Sequence, residues 1–416
     1  MMQKVYRKNL YRRKYKIKKQ DILLFLVAIL VIILSFCCNS LTLASNSEDI
    51  EKAEKELTET IDEQLAGIDL SGFQNLLDGL SKEELSLFGS DSFYEKVSQI
   101  LTSDLSEKKS LFEEILAVIL DELLNFIPIL ATICAIAIMG SFISNLRVKN
   151  NDQSIADIVH FVCFGVIVVI LSGAVLSLIS MTRNLLGSMQ AQMEVLFPIL
   201  LTLLTSLGGI VSVSLFQPLV VILSSSIMQI FNFIVFPLFI CTFIFTIVGN
   251  LSSNIKLDKF ISFFKSSFKW VIGTVMTLFF TFLTIKGITA GSFDGVSIQT
   301  AKYAIKSYIP LVGGYLSDGF NIIMSSSILI KNSIGVAGLL LLFATVIIPI
   351  IKIAIFSLGL KLTSAIIEPL SDSRTSNFVF TISKCMGYLV ATILCVAFMY
   401  LVTVGLIIIS GNAFYT

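Results

Sequence analysis

DGVSIQTAKYAIKSYIPLVGGYLSDGFNIIMSSSILIKNSIGVAGLLLLFATVIIPIIK, residues 294–352, governs how the rest of the chain is read. It sits deep inside a very apolar half of the chain, among long segments of Leu, Ile, Val and Phe, and an α-helix needs about 20 such residues to cross a bilayer. The same stretch holds Asp294, Lys302, Lys306, Asp318, Lys331 and Lys352, with Pro310 and Gly313-Gly314 interrupting it. Ionic groups and helix breakers are costly at membrane depth, so a sequence that keeps them there has a use for them.

The surroundings fix the class. Of 416 residues, 55% are hydrophobic and 14% charged, with a mean hydropathy of +0.88. Soluble domains carry about 25% charged residues. The expectation is an all-α, polytopic helical membrane protein embedded in the lipid bilayer. The net charge of +1 conceals three zones. Residues 1–20 hold nine Lys/Arg and no acid, whereas residues 45–114 hold 18 Asp/Glu against six Lys. The remainder is sparsely charged.

Read in order, residues 1–44 form a signal peptide or a signal anchor: a basic start, an apolar core from Ile22 to Phe36, and Thr42-Leu43-Ala44 before Ser45. Either form places residue 45 onward outside the cytoplasm. Residues 45–113 are an acidic extracytoplasmic region, in which Leu57, Ile61, Leu65 and Ile68 recur at helical spacing. It reads as a few short amphipathic helices, either a solvated spacer or a docking surface. Residues 114–188 hold two transmembrane helices, expected near 123–146 and 158–179, with Arg147 and Lys149 marking the cytoplasmic end of the first.

From Met189 onward the chain reads as an internal duplication, with units 189–291 and 292–416. Pro198 and Pro310 are 112 residues apart, as are Pro237 and Pro349, and a further shift of three aligns Lys259 with Arg374 and Lys269 with Lys384. The basic stretches Lys256–Lys269 and Lys361–Lys384 occupy equivalent places. If both are cytoplasmic, the repeats are parallel, a layout known among transporter folds. Gly208-Gly209 and Ser224–Ser226 then suggest that each unit opens with a Pro-led re-entrant segment, giving six crossings, or up to ten on a denser count. Lys256–Lys269 reads as an interfacial amphipathic helix.

The chemistry that is missing narrows the function. There is no His-Glu-x-x-His helix, no phosphate-cradling Gly-x-x-x-x-Gly-Lys-Ser/Thr loop, and a single histidine, His160. The seven cysteines all lie in apolar runs, where small buried hydrophobes belong. The expectation is a non-enzymatic protein with no cofactor, metal or nucleic-acid partner. Its candidate intramembrane polar or pathway residues are Glu194, Asp294, Lys302, Asp318, Lys331, Lys352, Glu368 and Asp372.

One resemblance is specific. Asp294-Gly295-Val296, Thr300-Ala301-Lys302, Ile309-Pro310 through Gly314, Lys331-Asn332 through Gly335 and Gly338, Pro349–Lys352 and Glu368-Pro369-Leu370 follow one another as in the stage III sporulation protein AE family. Glu194–Pro218 and Lys269-Trp270 are similar too. The resemblance implies a member of a membrane complex made by the mother cell during endospore formation and placed in the membrane around the forespore. With other membrane proteins of that complex, a separate cytoplasmic ATPase and a forespore membrane partner, it would form a channel or secretion-like conduit needed for late forespore development. The resemblance brings no assigned catalytic residues. The alternative is a stand-alone secondary transporter using a buried carboxylate.

Overall fold

The computed structural model describes residues 60–61, 63–90, 92–101, 111–148, 153–251, 257–287, 313–370 and 373–412. The expected signal segment, Asp294, Lys302, Pro310 and Asp372 lie outside the described residues, and so does the side chain of Asp318. Among the described residues every regular element is helical. After a helical stretch at 60–61 and 63–66 come three short helices: α1 (Ser71–Leu77), α2 (Lys82–Phe88) and α3 (Phe93–Leu101). Six long ones follow: α4 (Leu111–Val148), α5 (Gln153–Ser206), α6 (Ile210–Leu251), α7 (Asp258–Gly287), α8 (Gly313–Ile367) and α9 (Ser373–Asn412). All six long helices are apolar enough to cross a membrane by length and composition. The chain is therefore an all-α, multi-pass membrane protein.

Local chemistry explains the short elements. The Ser81 hydroxyl accepts the Glu84 amide N–H at 3.3 Å while the Glu84 carboxylate accepts the Ser81 N–H at 2.8 Å, a reciprocal cap that opens α2. Gly89, at φ +76°, closes it, a left-handed conformation that L side chains avoid. Their apolar faces carry Phe73, Leu77, Leu87, Phe88, Phe93 and Val97, all buried in the same core as the long helices. Phe73 and Phe93 stack with ring centroids 3.8 Å apart. A Cβ on Gly72 would sit 3.0 Å from Val195 of α5, and the Ser327 hydroxyl of α8 donates to Gln64 Oε1 at 2.9 Å. The described part of the acidic region, within residues 60–101, is thus no separate spacer. It is a cladding docked on α5 and α8.

The core of the bundle has a regular register. Ser364 donates to the Ser376 carbonyl, Ser357 to the Ser383 carbonyl, and Lys331 to that of Ile408. Each step back along α8 is matched by a step forward along α9 that is equal to within one residue, so the two pack antiparallel over about 50 Å. α4 runs parallel to α8, pairing Glu122 with Lys352, Phe126 with Phe356 and Leu130 with Gly359. α5 runs antiparallel to α8, with Gln192 on Thr345 and Leu196 on Gly338. Gly335, Gly338 and Gly359 permit close approaches: a Cβ there would collide with Ile408, Leu196 and Leu130 respectively. These contacts bury α8 and α9 most deeply, leaving α4, the first half of α5, α6 and α7 with exposed apolar faces such as Leu124, Met139, Val169, Phe233 and Trp270.

Three expectations change. The expected end of a span at 179, and the boundary between 188 and 189, fall inside the continuous 54-residue α5. Pro198 lies within this helix and opens no re-entrant segment. The missing N–H of Pro198 leaves the Glu194 carbonyl without its helical donor, yet the helix continues, and the Thr202 hydroxyl donates to the Pro198 carbonyl at 2.8 Å. The break comes at Gly208 (φ +83°) and Gly209, after which α6 runs unbroken through Ser224–Ser226 by widening into π turns at Ile222–Ile227 and Phe231–Val235. Finally, the residues of the expected interfacial helix from Asp258 onward are the first turns of the 30-residue α7 and not an element of their own.

Helix length sets a constraint of its own. The apolar stretches of α5 and α8 are 46 residues each, about 69 Å at 1.5 Å per residue. A hydrocarbon core is about 30 Å thick, and even a 40° tilt leaves such a helix traversing about 53 Å along the normal. Part of this apolar bundle is therefore covered by protein and not by lipid acyl chains, and α1–α3 supply some of that cover.

Candidate functional site

Polar residues gather at mid-length of the bundle, where α4, α5, α8 and the start of α2 come level. Lys352 Nζ pairs with Glu122 Oε1 at 2.8 Å, with the Glu122 side chain 11% exposed and that of Lys352 35%. The Glu83 carboxyl of α2 is held below the usual carboxylate range by hydrogen bonds to its own backbone amide and to Ser81, with the Lys352 charge a smaller cause. Pro349 stands one turn before Lys352. Lacking an N–H, it leaves the carbonyl of Thr345 without its helical donor. Gln192 of α5 reaches the Thr345 hydroxyl through Nε2 at 3.3 Å, while its Oε1 is buried with no partner among the described residues.

Beside this belt lies a cavity of about 520 Å³. Ser177, Ser180, Asn184 and Ser188 line it from α5, Thr345 and Pro349 from α8, and Gly79, Leu80 and Glu84 from the α1–α2 turn and α2. No group of three or more His, Cys, Asp or Glu side chains able to hold a metal ion occurs among the described residues. The arrangement offers hydroxyls, amides, one free carbonyl and carboxylates. Such groups bind and pass polar solutes or ions.

The anticipated residues whose side chains are described, Glu194, Lys331, Lys352 and Glu368, lie at separate places. Lys352 belongs to the belt. Lys331 lies 21 residues, about 32 Å, nearer the start of α8; it is fully buried, with Nζ donating to the carbonyls of Ile408 (2.8 Å) and Ile407 (3.4 Å) near the end of α9. No carboxylate pairs with it among the described residues. Its charge meets the negative end of the α9 dipole instead. Glu194 is exposed and accepts from Gln190 one turn earlier at 2.8 Å. Glu368 is exposed just past the end of α8. Asp318 is placed on α8 by its backbone alone, and Asp294, Lys302 and Asp372 are among the residues not described.

Sequence reasoning missed Glu122, Gln192, Thr345 and the α5 serines. Glu122 stands immediately before an apolar run and looks like an ordinary interfacial acid, since its partner is 230 residues away. The α5 stripe did carry a signal: Ser177, Ser180, Asn184, Ser188 and Gln192 recur every three or four residues, the spacing of one helix face.

Residues 93–411 match the family described as stage III sporulation protein AE. The chain is similar to the stage III sporulation protein AE of Bacillus subtilis (strain 168), 25% identical over 284 residues that cover 68% of this chain and 71% of that one. No solved structure matches.

Proposed function

The chain belongs to the stage III sporulation protein AE family, and from that premise we propose that it is a non-enzymatic integral component of a mother-cell complex forming a channel or secretion-like conduit to the forespore. The observation that carries the reading is the family match over residues 93–411, which takes in all six long apolar helices within a sporulation family. The protein would act in the mother-cell membrane around the forespore, beside other membrane proteins of the complex, a cytoplasmic ATPase and a forespore membrane partner. Helices longer than a bilayer favour an assembly role, because apolar surface beyond the lipid needs protein neighbours.

The internal duplication belongs to the same proposal. α6–α7 and α8–α9 are each a long proline-containing helix followed by a second helix; Pro237 and Pro349 are 112 residues apart, and the second helices open at Asp258 and Ser373, 115 apart. A signal segment at residues 1–44 completes the proposed plan.

Deletion of the gene in an endospore-forming host tests the reading. Sporulation is expected to stop after engulfment while vegetative growth is normal. Impaired growth without a sporulation defect would overturn it.

A further inference from the structure

Three lysines meet where α7 and α9 pack side by side. The two helices run parallel: the Phe268 ring lies 4.8 Å from that of Tyr388, and the Phe280 ring 5.9 Å from that of Phe398, centroid to centroid. Lys265 and Lys269 are one turn apart on α7, and like charges at that spacing repel. α9 adds Lys384. Its charge and that of Lys265 both reach the Cys385 thiol, while Lys269 Nζ stands 6.0 Å from the centroid of the Tyr388 ring, one turn further along α9. Lys265 is half-buried and makes no hydrogen bond or ion pair among the described residues. α6, α9 and α7 beyond Asp258 contain no Asp or Glu, and Asp258 is two turns, about 10 Å, from Lys265 along the axis. Folding thus gathers positive charge on helices whose sequences place no carboxylate at that level.

The level itself is informative. Trp270, the one tryptophan of the chain, adjoins Lys269 and is 75% exposed, and tryptophan concentrates at the depth of lipid headgroups. The 16 residues from Trp270 to Ile285 are uncharged, about 24 Å of helix, which accounts for most of a hydrocarbon core. The lysines therefore stand where lipid phosphates stand. One turn deeper, Gly273 of α7 and Gly387 of α9 are both exposed, and a Cβ on either would meet nothing within 4 Å. Room for an acyl chain opens directly beneath the charges.

We propose that Lys265, Lys269 and Lys384 bind an anionic phospholipid, the ammonium groups holding its phosphate and an acyl chain running past Gly273 and Gly387. Basic pockets between membrane helices take anionic headgroups in this way. Phosphatidylglycerol and cardiolipin share the required chemistry, whereas the headgroup cation of phosphatidylcholine competes with the lysines for its own phosphate. The site is a property of the chain alone and does not depend on the conduit reading.

Trp270 is the probe. The purified full-length protein is reconstituted in phosphatidylcholine vesicles containing a rising fraction of brominated phosphatidylglycerol or brominated phosphatidylcholine, and quenching of its fluorescence is measured. Phosphatidylglycerol is expected to add a saturable component with an apparent affinity at least about fivefold higher, the share of one lysine near a membrane surface. Lys265→Gln and Lys384→Gln, on different helices so that one variant remains if the other does not fold, should each lower that preference at least about twofold. Lys259→Gln makes the same charge change about 9 Å nearer the start of α7 and should leave it in place. Inorganic phosphate at constant ionic strength should not compete. Equal quenching by the two lipids, or a preference unchanged in both site variants, would overturn the proposal. So would an equal loss in Lys259→Gln, which means a diffuse field in place of a site, or displacement by inorganic phosphate, which means a free anion.

Discussion

Removing the Lys352 charge should expose how far the belt holds the bundle together. At 2.8 Å and an effective dielectric of about 20, the attraction between Lys352 and Glu122 is about 6 kcal/mol before desolvation. Much of that is offset, because both groups leave water to meet. An exposed pair contributes under about 1 kcal/mol, while truncating one member of a buried pair costs about 3–5. With Glu122 almost buried and Lys352 one-third exposed, Lys352→Met should cost about 2–3 kcal/mol, chiefly by stranding the Glu122 carboxylate. At about 2–4 °C per kcal/mol, Tm should fall by about 4–12 °C. Glu122→Gln should cost less, since a neutral amide is cheaper to bury, and the double variant should be no worse than Lys352→Met alone. A double-mutant cycle on the detergent-solubilised protein should therefore return a coupling of at least about 1 kcal/mol. Additivity within about 0.5 kcal/mol would refute the reasoning, for it would mean that α4 and α8 are held at this level by apolar packing alone.

Other perturbations probe other parts of the fold. Lys331→Met replaces a buried, acid-free charge by a side chain of similar volume and should leave Tm unchanged or raise it; a sporulation block in that variant would then mark the charge as functional. Gly338→Val drives a side chain into Leu196 and should destabilise the α5–α8 contact by about 1–3 kcal/mol, seen as a lower Tm. Phe73→Ala empties a fully buried position under the cladding and should cost about 3–5 kcal/mol, with limited proteolysis cutting first in residues 71–101. The Glu83 carboxyl is depressed from 4.5, so its contribution to holding α2 is complete above that value and lost as pH falls through the lower, folded one. Glu83→Gln should abolish that part of the acid sensitivity of α2, read by hydrogen exchange.

The membrane class, the six apolar helices and the family were legible because they rest on composition and on ordered short motifs. Lys352 and Lys331 were legible because a charge in an apolar run is conspicuous. The continuity of α5 was not. Arg183, Asn184, Gln190, Gln192 and Glu194 look like the polar end of a span when helices are assumed to match bilayer thickness. In a bundle twice that length they mark a level within the helix. The cladding was hidden for a related reason: α1–α3 are too small to hold a core of their own, and nothing local in Phe73 or Phe93 names α5 and α8 as the surface that completes it. Partners distant in sequence, such as Glu122 and Lys352, leave no periodic trace at all.

The measurement that bears most directly on the conduit reading is solute and ion flux through liposomes holding either the purified chain alone or the chain with the other membrane proteins of its complex. The account predicts no flux from the chain alone and a robust flux with its partners. Saturable uptake by the chain alone, unaffected by those partners, would contradict it and mark the protein as a stand-alone transporter.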